Sequence, residues 1–379
     1  MISSQIGEEK QNHASHKHFL YVGGFELPDK NAAAHRVVGI AKALRELGHE
    51  VYFLNYTGST NEASWKNYFG FQCYEKPKRG LIKQITDISD VIKIIEKKQI
   101  DSVLMYNYPS IAMSKLLKWC KKKSVKCYAD VTEWYVAEGK SPYALIKTWD
   151  SETRMKKLHF KTDGVIAISE FLYQYYKDKV PTVKIPPIVD IHDDKWSGNP
   201  QKDSDRCVFV YAGSPSAQKE CLDKIVDAVE KTEAPALLQI IGISKEQYET
   251  MYQTKYTGTK TEFLGRVDHT RVITLVKQAN WSGIIRENNQ VVKAGFPTKL
   301  VESISCGTPV IANRFSNVED YLDKSNSIIC EIDDIGHAID VACVERKQLD
   351  NRVFDYHYFV GELQKLLDGS YCDKAGVVP

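Results

Sequence analysis

The sequence predicts an α/β protein of two domains, each built on a mostly parallel sheet. Short apolar runs alternate with segments of helical periodicity along the chain. The alternation stops at a proline-rich, polar stretch and then starts again. The 379 residues suffice for two domains, each with an ordinary core. A hydrophobic fraction of 43% and a charged fraction of 26% are typical of a globular chain.

The first domain is predicted over residues 18–187. Residues 1–17 are polar, and we expect a flexible N-terminus without the apolar stretch of a signal peptide. Apolar side chains recur at helical spacing over 32–47, and Gly48 ends that helix. Alternating strands and helices favour a parallel sheet covered on both faces. The predicted strands are 18–22, 51–55, 102–106, 125–131 and 164–168, and the other helices are 91–97, 111–122, 143–160 and 169–177.

The second domain is predicted over residues 207–350. Pro186 and Pro187 end the first domain, and the polar stretch 188–206 is interpreted as a linker. We expect the C-terminal segment 351–379 to form a helix that packs back on the first domain. The predicted strands are 207–212, 237–241, 262–264, 281–285 and 309–312, and the helices are 221–230, 272–279 and 298–305.

Composition narrows the class of protein. The net charge is +2, and the lysine clusters of the first half are interpreted mainly as solvated helix faces, so no nucleic-acid partner is expected. The nine cysteines form no C-x-x-C pair and no metal-ligand spacing, which favours reduced thiols and a cytoplasmic protein. No apolar run is long enough to span a bilayer. Any membrane contact is therefore expected to be peripheral, at the inner face.

The segment 286–313 concentrates the residues that suit phosphate and ribose chemistry. Pro297 suits the start of a helix, whose free N–H groups face the preceding loop and accept a phosphate. Arg286, at a strand end, offers a charge-assisted contact to a diphosphate. Glu302 follows Thr298 by about one helical turn and suits the two hydroxyls of a ribose. The alternative is an ordinary helix-turn-strand with surface charges.

This segment resembles the donor-binding signature of family 4 glycosyltransferases, which have the GT-B fold of two Rossmann-like domains facing each other across a cleft. Other segments resemble the family in the same order. Gly23-Gly24 resembles its N-terminal glycine loop, and 163–170 (DGVIAISE) matches a further motif. The remaining similarities are the hinge 185–190, the loop of Gly213, Ser214 and Lys219, and the region of Gly265 and Arg266.

The sequence departs from the family pattern at three places. Ala294 stands where the family has its first acidic residue, and Ser214 stands where many members have arginine. The family's histidine near an N-domain strand end is not evident. Asp130 and Glu133 follow that strand instead, and either is a candidate for contact with the acceptor.

The resemblance implies a retaining sugar transfer from a nucleotide-diphosphate sugar to a saccharide or lipid-linked saccharide, of the kind used in bacterial surface polysaccharide synthesis. It implies that Lys219 and Arg286 stabilise the leaving diphosphate and that Glu302 holds the ribose, with no metal and no other cofactor. The donor-binding residues that it implies are Gly23, Gly24, Gly213, Ser214, Gly265, Arg266, Gly295, Phe296, Pro297, Thr298, Lys299 and Glu302.

Two other functions stay open at this stage. A non-catalytic binding or partner subunit would keep the fold and have lost turnover, as the missing carboxylate and histidine allow. A nucleotide-sugar epimerase would use the same donor site without an acceptor. A dinucleotide-dependent dehydrogenase is disfavoured because no G-x-G-x-x-G follows the first strand.

Overall fold

The computed structural model describes residues 16–28, 31–135, 141–198, 205–216, 219–347 and 349–369. The expected flexible N-terminus and part of the expected linker lie outside these residues. None of the helices in the described ranges combines the length and the apolar character that crossing a membrane requires.

The first domain is an eight-stranded sheet with the order β3-β4-β2-β1-β5-β6-β7-β8, in which only β3 runs antiparallel to its neighbour. Buried strands of this kind are the continuous apolar runs that the sequence shows, since helices cover both faces. The strands are β1 (His18–Gly23), β2 (Glu50–Thr57), β3 (Ser64–Tyr68), β4 (Phe71–Pro77), β5 (Ser102–Tyr106), β6 (Lys126–Val131), β7 (Gly164–Ala167) and β8 (Thr182–Lys184).

In the described part of this domain, four of the six α-helices bury an apolar face. In α1 the apolar side chains that recur at helical spacing are buried, and Asn31 caps its first turn through Ala34 N. The helices are α1 (Ala32–Glu46), α2 (Leu81–Thr86), α3 (Ser89–Lys98), α4 (Ser110–Lys123), α5 (Pro142–Thr153) and α6 (Glu170–Tyr176).

The second domain is a six-stranded parallel sheet with the order β11-β10-β9-β12-β13-β14. Its strands are β9 (Cys207–Ala212), β10 (Ala236–Ile241), β11 (Thr261–Gly265), β12 (Trp281–Ile284), β13 (Val310–Ala312) and β14 (Ser327–Ile329). Its helices are α7 (Leu222–Lys231), α8 (Lys245–Tyr252), α9 (His269–Gln278), α10 (Gln290–Ala294), α11 (Thr298–Ser305) and α12 (Ile335–Val344). The predicted architecture of two α/β domains is confirmed.

The chain crosses between the domains twice. The segment after β8 packs closely on α1, since a Cβ on Gly39 would come within 2.3 Å of the Ile188 carbonyl oxygen. The return segment pairs with it through Val189 N to Phe354 O (2.9 Å) and Tyr356 N to Val189 O (2.8 Å). A last helix, α13 (Val360–Asp368), then packs on α1 and β8 of the first domain.

Apolar contacts also join the domains directly. Leu172 of α6 and Ile168 belong to the same buried cluster as Val292 of α10 and Phe296. Ser169 Oγ, whose residue caps α6, donates to the Ala294 carbonyl oxygen at 3.0 Å. The two sheets are therefore held with their facing loops in contact.

Candidate functional site

The loops that follow the strands of the second sheet converge at one edge. In a parallel sheet the carboxyl ends of the strands lie together, and this edge is where such folds bind ligands. Gly213 follows β9 with a φ of +135°, and Gly265 ends β11 with a φ of +64°. Arg286 lies two residues after the end of β12 and forms an isolated antiparallel β-bridge with Glu220.

The donor loop of the sequence motif lies between α10 and α11. Pro297 occupies the N-cap position of α11, and Thr298 is the first helical residue. The Phe296 ring is buried against the rings of Tyr321 and Phe354, with centroids 5.5 and 6.0 Å away. Phe296 therefore anchors the loop, and only its backbone remains for a ligand.

A cluster of charged side chains lies beside this loop; we call Tyr211, Glu220, Arg286 and Lys299 the Glu220 cluster. Arg286 Nη2 is 2.7 Å and Lys299 Nζ is 3.3 Å from the same oxygen, Glu220 Oε1. Lys299 Nζ also lies 2.6 Å from the Tyr211 hydroxyl. All four side chains are buried. Two cations thus share one carboxylate.

The electrostatics of the cluster reflect this surplus of positive charge. Burial lowers the pKa of Lys299 to about 8, and the positive charge of Arg286 lowers it too, while Glu220 acts in the opposite direction. Burial raises the pKa of Glu220, but the charges of Lys299 and Arg286 outweigh it and the net shift is downward. Arg286 Nε is buried without a hydrogen-bond partner among the described residues. An anion placed here would gain two cations and an unused N–H.

Lys219, the lysine that the sequence motif selects, precedes this cluster. It is half-buried, and its carbonyl oxygen accepts from Glu287 N at 3.1 Å. No ion pair of its side chain is seen within the ranges that the structure describes. The positive charges that the structure brings together are therefore those of Arg286 and Lys299, with Lys219 next to them in the chain.

Glu302 lies on α11 and meets a histidine from α9. His269 Nε2 is 3.3 Å from Glu302 Oε1, and the His35 ring of the first domain lies 5.1 Å from the His269 ring. Side-chain ligand atoms of these three residues are all within 4.8 Å of one another. The group joins both domains and has the two-histidine, one-carboxylate chemistry of a transition-metal site.

The first domain contributes two glycines to the facing edge. Gly23 has a φ of +151°, and a Cβ on it would come within 2.1 Å of the Tyr106 carbonyl oxygen, so no other residue fits. A Cβ on Gly24 meets no atom within 4 Å, which leaves this backbone open to a ligand. Across the cleft, a Cβ on Gly295 would lie 4.0 Å from the Thr132 carbonyl oxygen. Thr132 therefore lies near the donor loop, and the half-buried Glu133 follows it in the chain.

Asp130 has an environment that does not match the acceptor contact expected from the sequence. Its Oδ1 accepts from Arg36 Nη2 at 2.6 Å and its Oδ2 accepts from the Tyr21 hydroxyl at 2.5 Å. Arg36 Nη1 donates in turn to the Ile185 and Pro186 carbonyl oxygens. We call Tyr21, Arg36 and Asp130 the Asp130 cluster. Its carboxylate is fully buried, and both of its oxygens accept hydrogen bonds. Through Arg36 the cluster also links α1 to the hinge.

Two cavities flank the converging loops. One of 340 Å³ in the first domain is lined by Gly23, Gly24, Glu26, Arg79 and Asn107, among others. One of 570 Å³ in the second domain is lined by Ser214, Gly242, Ile243, Gln247 and Arg266, among others. The second cavity thus adjoins the glycine loops of β9 and β11.

Sequence reasoning missed Glu220, Tyr211 and His269. Glu220 directly follows the motif residue Lys219, and this adjacency was the available signal. Tyr211 lies in an apolar strand run and gives no separate signal. His269 stands at the start of a helix after the Gly265 loop, and nothing in the sequence links it to Glu302, 33 positions away.

Comparison with known protein families finds one match, in the second domain. Residues 192–340 match the sequence profile of the family described as glycosyl transferases group 1. The second domain is therefore similar to group 1 glycosyltransferases. No curated protein sequence matches the chain.

Solved structures share the fold of this chain at low sequence identity. Sucrose-phosphate synthase from Thermosynechococcus elongatus has a TM-score of 0.65 and 14% identity, over 94% of this chain and 99% of that one. HepE of Anabaena, in complex with UDP and glucose, has a TM-score of 0.62 and 13% identity, over 93% of this chain and 100% of that one. The catalytic domain of starch synthase IV from Arabidopsis thaliana, bound to ADP and acarbose, has a TM-score of 0.66 and 11% identity, over 94% of this chain and 100% of that one. The family resemblance and the GT-B fold expected from the sequence are confirmed.

Proposed function

We propose that the protein is a glycosyltransferase that moves a sugar, with retention of configuration, from a nucleotide-diphosphate sugar to a saccharide or lipid-linked saccharide during surface polysaccharide synthesis. The observation that carries the proposal is the Glu220 cluster. Its two cations face one carboxylate next to the N-terminal end of α11. A diphosphate carries the charge that would balance such a site.

We propose one orientation of the donor on the second domain. With the diphosphate at Arg286 and Lys299, the ribose falls near Glu302, which lies one helical turn into α11. The base then lies toward the 570 Å³ cavity beside Ser214 and Arg266. The sugar extends across the cleft toward Gly24 and Glu133 of the first domain. HepE, which shares the fold, is reported with UDP and glucose bound, and this supports a nucleotide-sugar donor.

The proposed chemistry asks the protein for position and charge. The bond between the sugar's anomeric carbon and the diphosphate oxygen breaks, and the acceptor oxygen bonds to the same face of that carbon. The acceptor's hydroxyl proton passes to the departing diphosphate oxygen. Arg286 and Lys299 stabilise the negative charge that develops there, and Lys219 adds to their field. The step needs no protein nucleophile and no metal.

The acceptor side is the 340 Å³ cavity of the first domain. It opens beside Gly24 and carries both cationic and neutral polar groups, with Arg79 and Asn107 in its lining. Glu133 is proposed for contact with the acceptor, since it is half-buried and directly follows Thr132, which lies near the donor loop. Asp130 is proposed instead as the residue that positions the strand end and the hinge.

The experiment is a thermal-shift panel of UDP, GDP, CDP and ADP on the wild type and on Glu302→Ala. A nucleotide at about 100 times its dissociation constant adds roughly 2.7 kcal/mol of stability. Each kcal/mol corresponds to about 2–4 °C in a domain of this size. We expect one nucleotide to shift the wild type and to shift Glu302→Ala much less.

Glu319→Ala is the control, because Glu319 is an exposed carboxylate of the same domain whose partner is the surface residue Arg314. It should keep the full shift. If no nucleotide shifts the wild type, the donor site is wrong and a non-catalytic partner subunit becomes the better explanation.

A further inference from the structure

Large apolar side chains are exposed on two short helices of the first domain. Among the described residues, six of the nine large hydrophobic side chains that are exposed belong to α2 or α5. The six are Leu81, Ile82, Tyr143, Leu145, Ile146 and Trp149, with Ile82 75% and Trp149 54% exposed.

These two helices bury very little of themselves. None of the residues of α2 is buried, and in α5 only Ala144 and Ser151 are. Helices of this length gain little stability from their own hydrogen bonds and normally depend on packing an apolar face. An apolar helix of a globular protein is normally covered. The exposed side chains of α2 and α5 therefore indicate contact with something outside the chain.

The helix between them in the sequence, α4, adds positive charge. Both α2 and α5 pack against α4, and Lys115 Nζ donates to the Thr86 carbonyl oxygen at the end of α2. Lys115, Lys118 and Lys122 are exposed and recur at a spacing that places them on one face of α4. The helix carries no acidic residue.

We propose that the exposed faces of α2, α4 and α5, which we call the α2–α5 surface, bind the surface of a bilayer that contains anionic lipid. Exposed apolar side chains with lysines beside them are the pattern of segments that lie in the interface of a membrane. Trp149 and Tyr143 add the amphipathic rings that favour the headgroup level.

The charge of the surface argues against a second copy of the chain as its partner. In a two-fold dimer the same patch meets itself, so the lysines of α4 would approach their own equivalents. Like charges in contact are unfavourable, whereas an anionic leaflet attracts each of them.

The position of the surface explains what such binding would achieve. Gln84 of α2 and the Tyr108-Pro109 segment that leads into α4 line the 340 Å³ cavity. A saccharide on a lipid anchored in the bilayer would reach this cavity while its lipid stays in the membrane. This step alone rests on the proposed function, and it selects the lipid-linked class of acceptor. Lys118 also lines a separate cavity, together with Lys121 of α4 and Lys126 of β6, and therefore lies at the edge of the surface.

Co-sedimentation with vesicles tests the surface without donor or acceptor. We expect the wild type to bind vesicles of phosphatidylcholine and phosphatidylglycerol and to bind pure phosphatidylcholine at least tenfold more weakly. Ile146→Ser with Trp149→Ser should lower the partition coefficient at least tenfold. Ile82→Ser, on the other helix, should lower it several-fold, and Lys118→Gln with Lys122→Gln should remove most of the preference for anionic lipid.

Val344→Ser is the matched control, because Val344 is 83% exposed on α12 of the second domain and should bind like the wild type. The nucleotide thermal shift checks that each variant is folded and separates this proposal from the donor site. If the wild type does not bind anionic vesicles, or if Val344→Ser loses as much binding as the variants of α2 and α5, the proposal is overturned. Nucleotide binding that persists in either case leaves the proposed transfer intact.

Discussion

Two buried clusters of charged side chains lie at the facing edges of the two domains, and they differ in charge balance. In the Asp130 cluster, one guanidinium meets one carboxylate. The Arg36 guanidinium also donates hydrogen bonds to two hinge carbonyl oxygens. The Tyr21 hydroxyl donates to the second oxygen of the carboxylate. The charges are matched and the carboxylate oxygens already accept hydrogen bonds, so this cluster offers no free charge to a ligand.

The Glu220 cluster has the opposite balance. Arg286 and Lys299 share a single carboxylate oxygen, and Arg286 Nε has no partner among the described residues. A buried surplus of positive charge is costly unless an anion completes it. The difference teaches that burial and ion pairing alone do not mark a ligand site. The proposed donor site depends instead on an unbalanced charge beside an open loop.

The largest expected effect is on stability in the balanced cluster. Asp130→Ala would leave the Arg36 guanidinium buried without its carboxylate, and we expect the free energy of unfolding to fall by about 3–5 kcal/mol. Urea denaturation measures it. Nucleotide affinity of the folded protein should stay unchanged in isothermal titration. A large loss of nucleotide affinity with unchanged stability would reverse the roles assigned to the two clusters.

The next effect is on turnover in the unbalanced cluster. Arg286→Met removes one of two cations from the developing diphosphate charge, and we expect kcat to fall on the order of 100-fold. Stability should change little, because Lys299 remains to pair with Glu220. Arg314→Met, which removes an exposed arginine from the same domain, is the control. Unchanged kcat in Arg286→Met would remove this residue from the mechanism.

A smaller effect is expected from pH. Burial lowers the pKa of Lys299 to about 8, so the side chain is charged below that pH and neutral above it. Affinity for a nucleoside diphosphate should therefore fall about tenfold between pH 7 and pH 9. Lys299→Met should bind weakly with a flatter profile. The free energy of unfolding without ligand should change in the opposite direction. The unfolded chain keeps the Lys299 proton up to a pH of about 10.5, whereas the folded protein loses it near pH 8. This group should therefore make the protein more stable as the pH rises from about 8 to 10.5.

The smallest effect concerns the group formed by His35, His269 and Glu302. If Glu302 holds the ribose, a chelator should change nucleotide affinity by less than about twofold, which is under 0.5 kcal/mol. Added Zn²⁺ should compete with the nucleotide, because both need the Glu302 carboxylate. Isothermal titration of the nucleotide with and without EDTA distinguishes binding through Glu302 alone from binding that requires a metal. A nucleotide that binds only with metal present would contradict the metal-free mechanism.

The sequence predicted ten of the fourteen described strands, because buried parallel strands are continuous apolar runs between amphipathic helices. It missed the short edge strands β8 and β14 and the edge hairpin of β3 and β4. The turn of that hairpin uses Phe69 and Gly70, both at positive φ, and phenylalanine is not a residue that predicts such a turn. Asn67 supports the turn by accepting from Gly70 N at 3.0 Å.

The candidate site was predictable where it follows a contiguous motif and not where it depends on pairing across the chain. Glu302 and the donor loop lie in one segment of sequence. The pairing of Glu220 with Arg286 spans 66 positions, and that of Arg36 with Asp130 spans 94. The sequence does not show which residue pairs with a given carboxylate. It therefore makes Asp130 a candidate for acceptor contact, whereas in the structure Arg36 already matches its charge.

The return of α13 to the first domain has a consequence for how the chain folds as it is synthesised. Leu363 and Leu366 are buried in the same cluster as Phe19 and Val37, near the opposite end of the chain. The second domain is contiguous and has all its strands once β14 has been made. The first domain, although translated earlier, cannot complete its core until α13 has left the ribosome. We therefore expect the domain translated second to be the first to reach its native state.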